Sequence, residues 1–186
     1  LSLPHALKSI HFPKNGEDAK QARRRLAFDE LLNLQLGMLM LKKKGREKSS
    51  CVMDKRKSLD DFYNSLPFEM TQPQKQSVDD IINDMSGDFP MNRLLQGDVG
   101  SGKTAVAAAA CCFAYLNSYQ SALMAPTEIL AVQHYNTLRN FLEPVGINVV
   151  LLTGSMTAKQ KRQAKEQILS GEAAVEVGGQ AVLGRQ

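Results

Sequence analysis

The sequence has little of what marks a secreted, membrane-spanning or zinc-stabilised protein. Its 186 residues include only three cysteines and three histidines, and no cysteine–histidine cluster has the spacing of metal ligands. Cys111 and Cys112 are adjacent, which suits reduced thiols better than a disulfide framework. The longest apolar-rich run, Leu26 to Leu41, contains Asp29 and Glu30 and is too short to cross a bilayer. We therefore predict a cytoplasmic protein without a membrane partner.

The net charge, the hydrophobic content and the first residue of the chain exclude fewer classes of protein. Lysine and arginine total 23 against 19 acidic residues, a formal charge of +4, which permits a polyanionic partner without requiring one. Hydrophobic residues make up 43% of the chain, so a packed core is available and wholesale disorder is not expected. The chain opens on Leu1 without a methionine or a secretion leader. We expect it to be a piece of a longer polypeptide.

Composition divides the chain into three segments. Apolar residues recur at spacings of three and four between Ser2 and Leu41, which predicts helix, and we interpret residues 1–44 as a helical lead-in. The basic stretch from Lys42 to Ser58 lacks such periodicity. Residues 45–64 are interpreted as a basic flexible linker, with a nucleic-acid contact as the alternative. Residues 65–186 are assigned to a globular domain.

Helices and strands alternate after Leu66. The predicted helices are Pro73 to Met85, Lys103 to Leu116, Glu128 to Leu142 and Ala158 to Leu169. The predicted strands are Arg93 to Gln96, Ser121 to Ala125, Asn148 to Leu152 and Ala174 to Val177. Thr127 is placed to cap one helix, and Thr157 with Gln160 has capping-box spacing. This rhythm is typical of βαβ units in a parallel sheet, so the predicted fold class is α/β.

The strongest local signal is a phosphate-binding loop between a predicted strand and a predicted helix. The residues that satisfy its G-x-x-x-x-G-K-[ST] pattern are Gly97, Asp98, Val99, Gly100, Ser101, Gly102, Lys103 and Thr104. Glycines let backbone N–H groups approach phosphate oxygens, and the following helix N-terminus adds partial positive charge. Lys103 supplies a cation to the β- and γ-phosphates and Thr104 a hydroxyl ligand for Mg²⁺, so both are candidate catalytic residues. The motif predicts nucleotide binding without defining its purpose.

Several further segments together resemble the RecG-type DNA helicases of superfamily two. The segments that carry the resemblance are Arg93 to Thr104 (first helicase motif), Met124 to His134 (motif Ia), Leu152 to Ser155 (the next landmark), Leu66 to Gln74 (the element that often recognises adenine) and Arg23 to Leu36 (the helix that leads into the motor). Similarity therefore extends over nearly the whole chain. The combination is much more specific than any single motif.

The resemblance implies a partial RecA-like P-loop domain with a parallel sheet, preceded by a helical segment. It implies ATP and Mg²⁺ as cofactors, with Phe68 and Gln74 near the adenine. Gln74 also has an amide that suits the N6/N7 edge of adenine, although a surface helix position explains it equally well. The resemblance implies DNA contacts at two strand-end loops, comprising Pro126, Thr127, Thr153, Gly154 and Ser155. Because parallel strands gather ligands at their carboxyl ends, these loops should share a face with the phosphate loop.

The parent protein is thereby expected to be a monomeric ATP-dependent DNA helicase that remodels branched DNA, such as replication forks and Holliday junctions. Two departures qualify this for the chain itself. Gly178-Gly179-Gln180-Ala181 stands where the family has Gly-Thr-His-Ala, and the family's Asp-Glu-x-His box, second motor lobe and wedge domain are missing. Since phosphoryl transfer depends on charge neutralisation at the transition state, we expect no useful hydrolysis by this chain alone.

Two alternatives stay open. A transcription-repair coupling translocase shares the phosphate loop and the motif Ia layout, but Leu95-Gln96, Ser101 and Glu128-Ile129-Leu130 favour the RecG type. The other alternative is a nonmotor nucleotide-binding module that mediates an interaction. An intact carboxylate box and second lobe in the surrounding gene would favour the motor.

Overall fold

The computed structural model describes residues 1–44, 48 and 51–179. The chain divides into two compact units, Leu1–Lys48 and Ser49–Gln186. The parts of the predicted linker at 45–47 and 49–50, and the residues from Gln180 onward, lie outside the described residues. The boundaries predicted from composition therefore stay predictions.

The first unit is a pair of helices, α1 (Leu3–His11) and α2 (Gly16–Lys44). They pack through small residues, since Ala6 and Ala22 are both fully buried. The predicted helix from Ser2 to Leu41 is thus interrupted. Pro13 explains the break, because proline lacks the N–H that an inner helical turn needs and disfavours helical dihedrals in the residue before it.

The second unit contains the remaining elements. In chain order they are α3 (Asp60–Ser65), α4 (Gln72–Met85), α5 (Lys103–Leu116), β1 (Ser121–Ala125), α6 (Glu128–Leu142), a 3₁₀ turn (Glu143–Val145), β2 (Val149–Leu152), α7 (Ala158–Leu169) and β3 (Val175–Gly179). The sheet is parallel with order β1-β3-β2, and Leu123, Val177 and Leu151 align across it. The predicted α/β fold class is confirmed.

Helix α3 overlaps the end of the segment interpreted as a flexible linker, residues 45–64. Phe62 of α3 is 1% exposed and Leu59 just before it is 5% exposed, so both belong to the core. The sequence signal is weak there because six residues span less than two helical turns. This end of the segment is folded rather than flexible.

The core of the second unit lies where α5 and α6 pack against each other and α6 packs on the sheet. Phe113, Leu138 and Val175 are completely buried there. Alanines on α5, including Ala108 and Ala109, are also completely buried, since their small side chains allow close helix packing. Burial of a side chain the size of Phe113 contributes about 3 kcal/mol to folding.

The strand predicted at Arg93 to Gln96 does not form, which corrects the expected strand–loop–helix context. In the described residues the strands pair only as β1-β3-β2, so this segment has no partner strand among them. Leu94 is 86% exposed. Arg93 instead donates to the carboxylates of Asp84 (Nε to Oδ2, 2.7 Å) and Asp80 (Nη1 to Oδ2, 3.2 Å) of α4.

Candidate nucleotide-binding site

The phosphate loop forms a tight turn that leads into α5. Gly100 (φ +82°) and Gly102 (φ +78°) both adopt the left-handed conformation that favours glycine. The Ser101 amide donates to the Asp98 carbonyl at 3.2 Å and closes the turn. Gly102 is the residue before the first turn of α5, which begins at Lys103. The loop therefore presents a helix N-terminus, where an anion is stabilised by free N–H groups and the helix dipole.

Lys103 places its ammonium group inside this turn. Its Nζ atom donates to the carbonyl oxygens of Gly97 and Asp98, each at 2.7 Å. A third contact, to the Ser101 hydroxyl, is 3.5 Å long. The loop thus carries a concentrated positive charge at its centre, in a position to exchange backbone carbonyls for phosphate oxygens.

Gln74 joins α4 to the phosphate loop. Its Oε1 atom accepts from the Thr71 amide at 2.8 Å, as part of a capping box, and its Nε2 atom donates to the Ser101 carbonyl at 2.8 Å. A Cβ atom added to Gly102 would lie 2.3 Å from Nε2, so the two chain segments are in close contact. The second Nε2 hydrogen and an Oε1 lone pair remain for a ligand such as adenine. Sequence patterns gave no sign of this contact between helix and loop.

A cleft of about 660 Å³ opens between this loop, the start of α4 and one face of α6. Its lining residues are Phe68, Glu69, Thr71, Gln74, Val99, Gly100, Gly102, Lys103, Thr104, Ala105, Gln133, Thr137 and Phe141. The predicted Phe68 and Gln74 therefore share one cleft with five residues of the phosphate loop. Gly97, Asp98 and Ser101 do not line it.

Three residues of α6 complete the cleft and were not predicted. Gln133, Thr137 and Phe141 recur at four-residue intervals, which places them on one helix face, and this spacing was available in the sequence. Phe141 packs edge-to-face on Phe68, with ring centroids 5.7 Å apart and an interplanar angle of 76°. Phe68 is itself 42% exposed, so its ring offers an apolar surface within the cleft.

The strand-end loops predicted to contact DNA lie after β1 and β2. Pro126 and Thr127 are exposed, and the Thr127 hydroxyl accepts from the Leu130 amide at 3.3 Å, which confirms its role as helix cap. Thr153 is only 2% exposed, and its hydroxyl contacts that of Ser155 at 3.3 Å. Gly154 and Ser155 are exposed. The surface of the second loop is therefore formed by Gly154 and Ser155.

The other chemically notable groups lie outside the cleft. Burial raises the pKa of the Cys111 thiol, and it raises that of Cys112 to about 11. Hydrogen bonding from Arg93 lowers the pKa of the Asp84 carboxyl. Within residues 1–44, 48 and 51–179, no three histidine, cysteine or acidic side chains converge on a metal position. Nor does any helix of that part combine the length and apolar character needed to cross a bilayer.

Comparison with known proteins places the chain in a family. A family model described as DEAD/DEAH box helicase matches residues 71–178. The chain is 44% identical over 185 residues to the ATP-dependent DNA helicase RecG of Streptococcus pneumoniae, covering 98% of this chain and 27% of that protein. It is 44% identical over 180 residues to that of Bacillus subtilis, covering 96% and 26% respectively. The chain thus spans about a quarter of the length of these curated relatives, and the predicted RecG-type resemblance is confirmed.

Solved structures agree with the sequence matches. A structure of RecG bound to a three-way DNA junction superposes with a TM-score of 0.85 at 39% identity, covering 97% of this chain and 25% of that one. A hypothetical ATP-dependent RNA helicase from Sulfolobus tokodaii gives a TM-score of 0.52 at 18% identity, covering 68% and 35%. The second match supports the fold alone, and together the two confirm the RecA-like fold.

Proposed function

Because this chain belongs to the DEAD/DEAH box helicase family, we propose that it is the ATP-binding part of a RecG-like DNA helicase that remodels branched DNA in recombination and repair. The observation that carries the proposal is the cleft in which Lys103 and Thr104 meet Phe68 and Gln74. Its volume of about 660 Å³ lies in the range of small-molecule and cofactor sites. The names of the relatives, ATP-dependent DNA helicase RecG, support the choice of ATP and DNA.

In this proposal the triphosphate lies against the phosphate loop and the adenine lies between Phe68 and Gln74. The Lys103 ammonium would turn from two carbonyl oxygens to phosphate oxygens, gaining charge-assisted hydrogen bonds. The N-terminus of α5 would add its partial positive charge. The Phe68 ring, which packs against Phe141, would pack on the base. The second hydrogen of Gln74 Nε2 would donate to an acceptor atom of the base.

The same cleft fits a magnesium ion through Thr104. This residue lies in the first turn of α5 and lines the cleft, so its hydroxyl oxygen is a suitable ligand for a hard cation. The nucleotide phosphates would supply further oxygen ligands. The ion would neutralise charge that builds on the phosphates during transfer.

The chain alone would bind ATP without hydrolysing it. In the described part of the chain, Glu69 is the only acidic residue that lines the cleft, and its carboxylate pairs with Lys75 at 3.2 Å. Glu69 immediately follows Phe68, so it belongs to the proposed adenine end. No carboxylate of the lining is then placed beside Thr104 to orient an attacking water.

DNA would be contacted at the exposed strand ends, through Pro126 and Thr127 of one loop and Gly154 and Ser155 of the other. Both loops present an exposed residue with a hydroxyl, Thr127 and Ser155, and hydroxyls suit the sugar–phosphate backbone more than base edges. Thr153 would act indirectly, because its side chain is buried. We also propose a cytoplasmic, monomeric parent protein.

Hydrolysis of Mg-ATP with and without a forked DNA tests the proposal. The 186-residue chain should show no DNA-stimulated turnover, whereas a longer natural protein that contains it should. Lys103→Ala should abolish that turnover, and Lys165→Ala, on α7 outside the cleft, should serve as the matched control. Robust DNA-stimulated hydrolysis by the short chain would show that its catalytic site is complete, contrary to the proposal. Absence of stimulation in the long protein would contradict the helicase assignment.

A further inference from the structure

One peptide unit between β2 and α7 is held from both edges by oppositely charged side chains. The Ser155 amide donates to Glu128 Oε1 at 3.1 Å, and the Gly154 carbonyl accepts from Lys161 Nζ at 2.6 Å. These two backbone groups belong to the same Gly154–Ser155 peptide. Glu128 is the first residue of α6 and Lys161 lies in α7, so two different helices fix its orientation.

We call these two hydrogen bonds, from the Ser155 amide to Glu128 and from Lys161 to the Gly154 carbonyl, the clamp. A glycine at residue 154 is consistent with the position of Glu128 in it. A Cβ atom added to Gly154 would lie 2.4 Å from Glu128 Oε1, so any larger side chain would displace the carboxylate. The φ angle of Gly154 lies outside the left-handed range. Glycine at residue 154 therefore leaves the space that the carboxylate of Glu128 occupies.

The clamp also connects the two strand-end loops. Glu128 follows Pro126 and Thr127 directly, so its carboxylate extends from the loop after β1 to the loop after β2. Strands β1 and β2 are separated by β3, a span of about 10 Å at ordinary strand spacing. β3 ends in Gly178 and Gly179, which bring no side chain into the space between. Glu128 thus holds the exposed parts of both loops in one arrangement.

We propose that Glu128 is a positioning residue for DNA binding, which acts through the Gly154–Ser155 peptide and is supported by Lys161. The inference rests on the proposed DNA-binding function of these loops. Without the clamp, the second loop must be ordered when DNA binds, and that ordering weakens affinity. Loss of one charge-assisted hydrogen bond at this peptide corresponds to a change on the order of tenfold in affinity.

The sign of the effect separates positioning from simple electrostatics. A carboxylate near phosphates repels them, so removal of Glu128 as a mere charge should tighten DNA binding. Removal of Glu128 as a positioning group should weaken it. Gln keeps the acceptor oxygen while losing the charge, so Glu128→Gln should bind DNA at least as tightly as the natural chain.

The experiment measures the affinity of the full chain for a fluorescein-labelled single-stranded oligonucleotide by anisotropy. The expected order is Glu128→Gln equal to or tighter than the natural chain, and Glu128→Ala about tenfold weaker. Glu166→Ala, an exposed carboxylate on α7, is the matched control and should not weaken binding. Binding of a fluorescent ATP analogue, which reports on the separate phosphate loop, should be the same in all variants and thereby shows that they are folded.

Lys161→Met tests the other edge of the peptide and serves if Glu128→Ala does not fold. A lysine that merely contacts phosphate would lower the slope of log affinity against log salt by about 1. If Lys161 is a positioning lysine, its replacement should weaken binding with an unchanged slope.

If Glu128→Ala binds DNA as well as the natural chain, or if Glu128→Gln weakens binding as much as Glu128→Ala does, the inference is wrong while the proposed function stands. If the natural chain binds no DNA, the proposed DNA contacts fail and the inference fails with them.

Discussion

Gly102→Ala tests how the phosphate loop is held by Gln74. Gly102 has a φ of +78°, so a side chain costs about 1 kcal/mol in backbone strain. Its new Cβ would lie 2.3 Å from Gln74 Nε2, which is too close, so one of the two atoms must shift. Nε2 moves away because it lies at the end of a flexible side chain. The 2.8 Å hydrogen bond to the Ser101 carbonyl is then lost, at a further cost of about 1 kcal/mol. The free energy of unfolding should fall by about 2 kcal/mol in total.

Gly100→Ala is the matched control for this prediction. Its φ of +82° gives the same backbone strain, but nothing lies within 4 Å of its added Cβ. Urea unfolding followed by circular dichroism should therefore show a loss of only about 1 kcal/mol. In a Gln74→Ala background, Gly102→Ala should likewise cost only the strain. Equal losses for the two glycines, or strict additivity of Gly102→Ala and Gln74→Ala, would refute the contact.

Three further predictions concern the surrounding structure. Thr157→Ala should lower the free energy of unfolding by about 1 kcal/mol, measured by urea unfolding, because it removes the capping box of α7, and an unchanged midpoint would contradict this. Arg93→Ala should destabilise the chain at pH 6 but not at a pH well below 3.8. The Asp84 pKa is lowered in the folded state, so the stability that the Arg93–Asp84 pair contributes disappears as that carboxylate is protonated. A difference in stability that persists in acid would exclude this ion pair as its cause. Alkylation of Cys112 by iodoacetamide at pH 8, followed by mass spectrometry, should accelerate more than about 100-fold on unfolding, because a pKa of about 11 leaves about one thiolate in a thousand. Equal rates in the folded and unfolded chain would show that the thiol is accessible.

Local patterns in the sequence predicted the regular elements that carry their own signals. The helices at Lys103–Leu116, Glu128–Leu142 and Ala158–Leu169 have the predicted bounds, and the caps at Thr127 and Thr157 are confirmed. These features depend on residues within one or two turns of each other. Strand β1 is confirmed as predicted, and β2 and β3 shift by one or two residues at their ends.

The features that sequence reasoning missed depend on partners distant in the chain. A strand at Arg93 to Gln96 needs a neighbouring strand, and the ion pairs of Arg93 with α4 could not be read from its hydrophobic pattern. The bond from Gln74 to Ser101 spans 27 residues, as does the bond from Ser155 to Glu128. The phosphate loop was predictable because its chemistry lies in eight consecutive residues. The assignments of Phe68 and the DNA contacts came from the family resemblance and stay proposals.

We expect the glycine-containing turn before Lys103 to bind the triphosphate of ATP. The most direct measurement is a titration of the ¹⁵N-labelled chain with Mg²⁺ and a non-hydrolysable ATP analogue, followed by amide NMR. The largest shifts should occur at Gly100, Gly102 and Thr104, with smaller ones at Phe68 and Gln74, and Lys103→Ala should remove them. Shifts confined to other surfaces, or an unchanged spectrum at millimolar nucleotide, would exclude nucleotide binding at this turn.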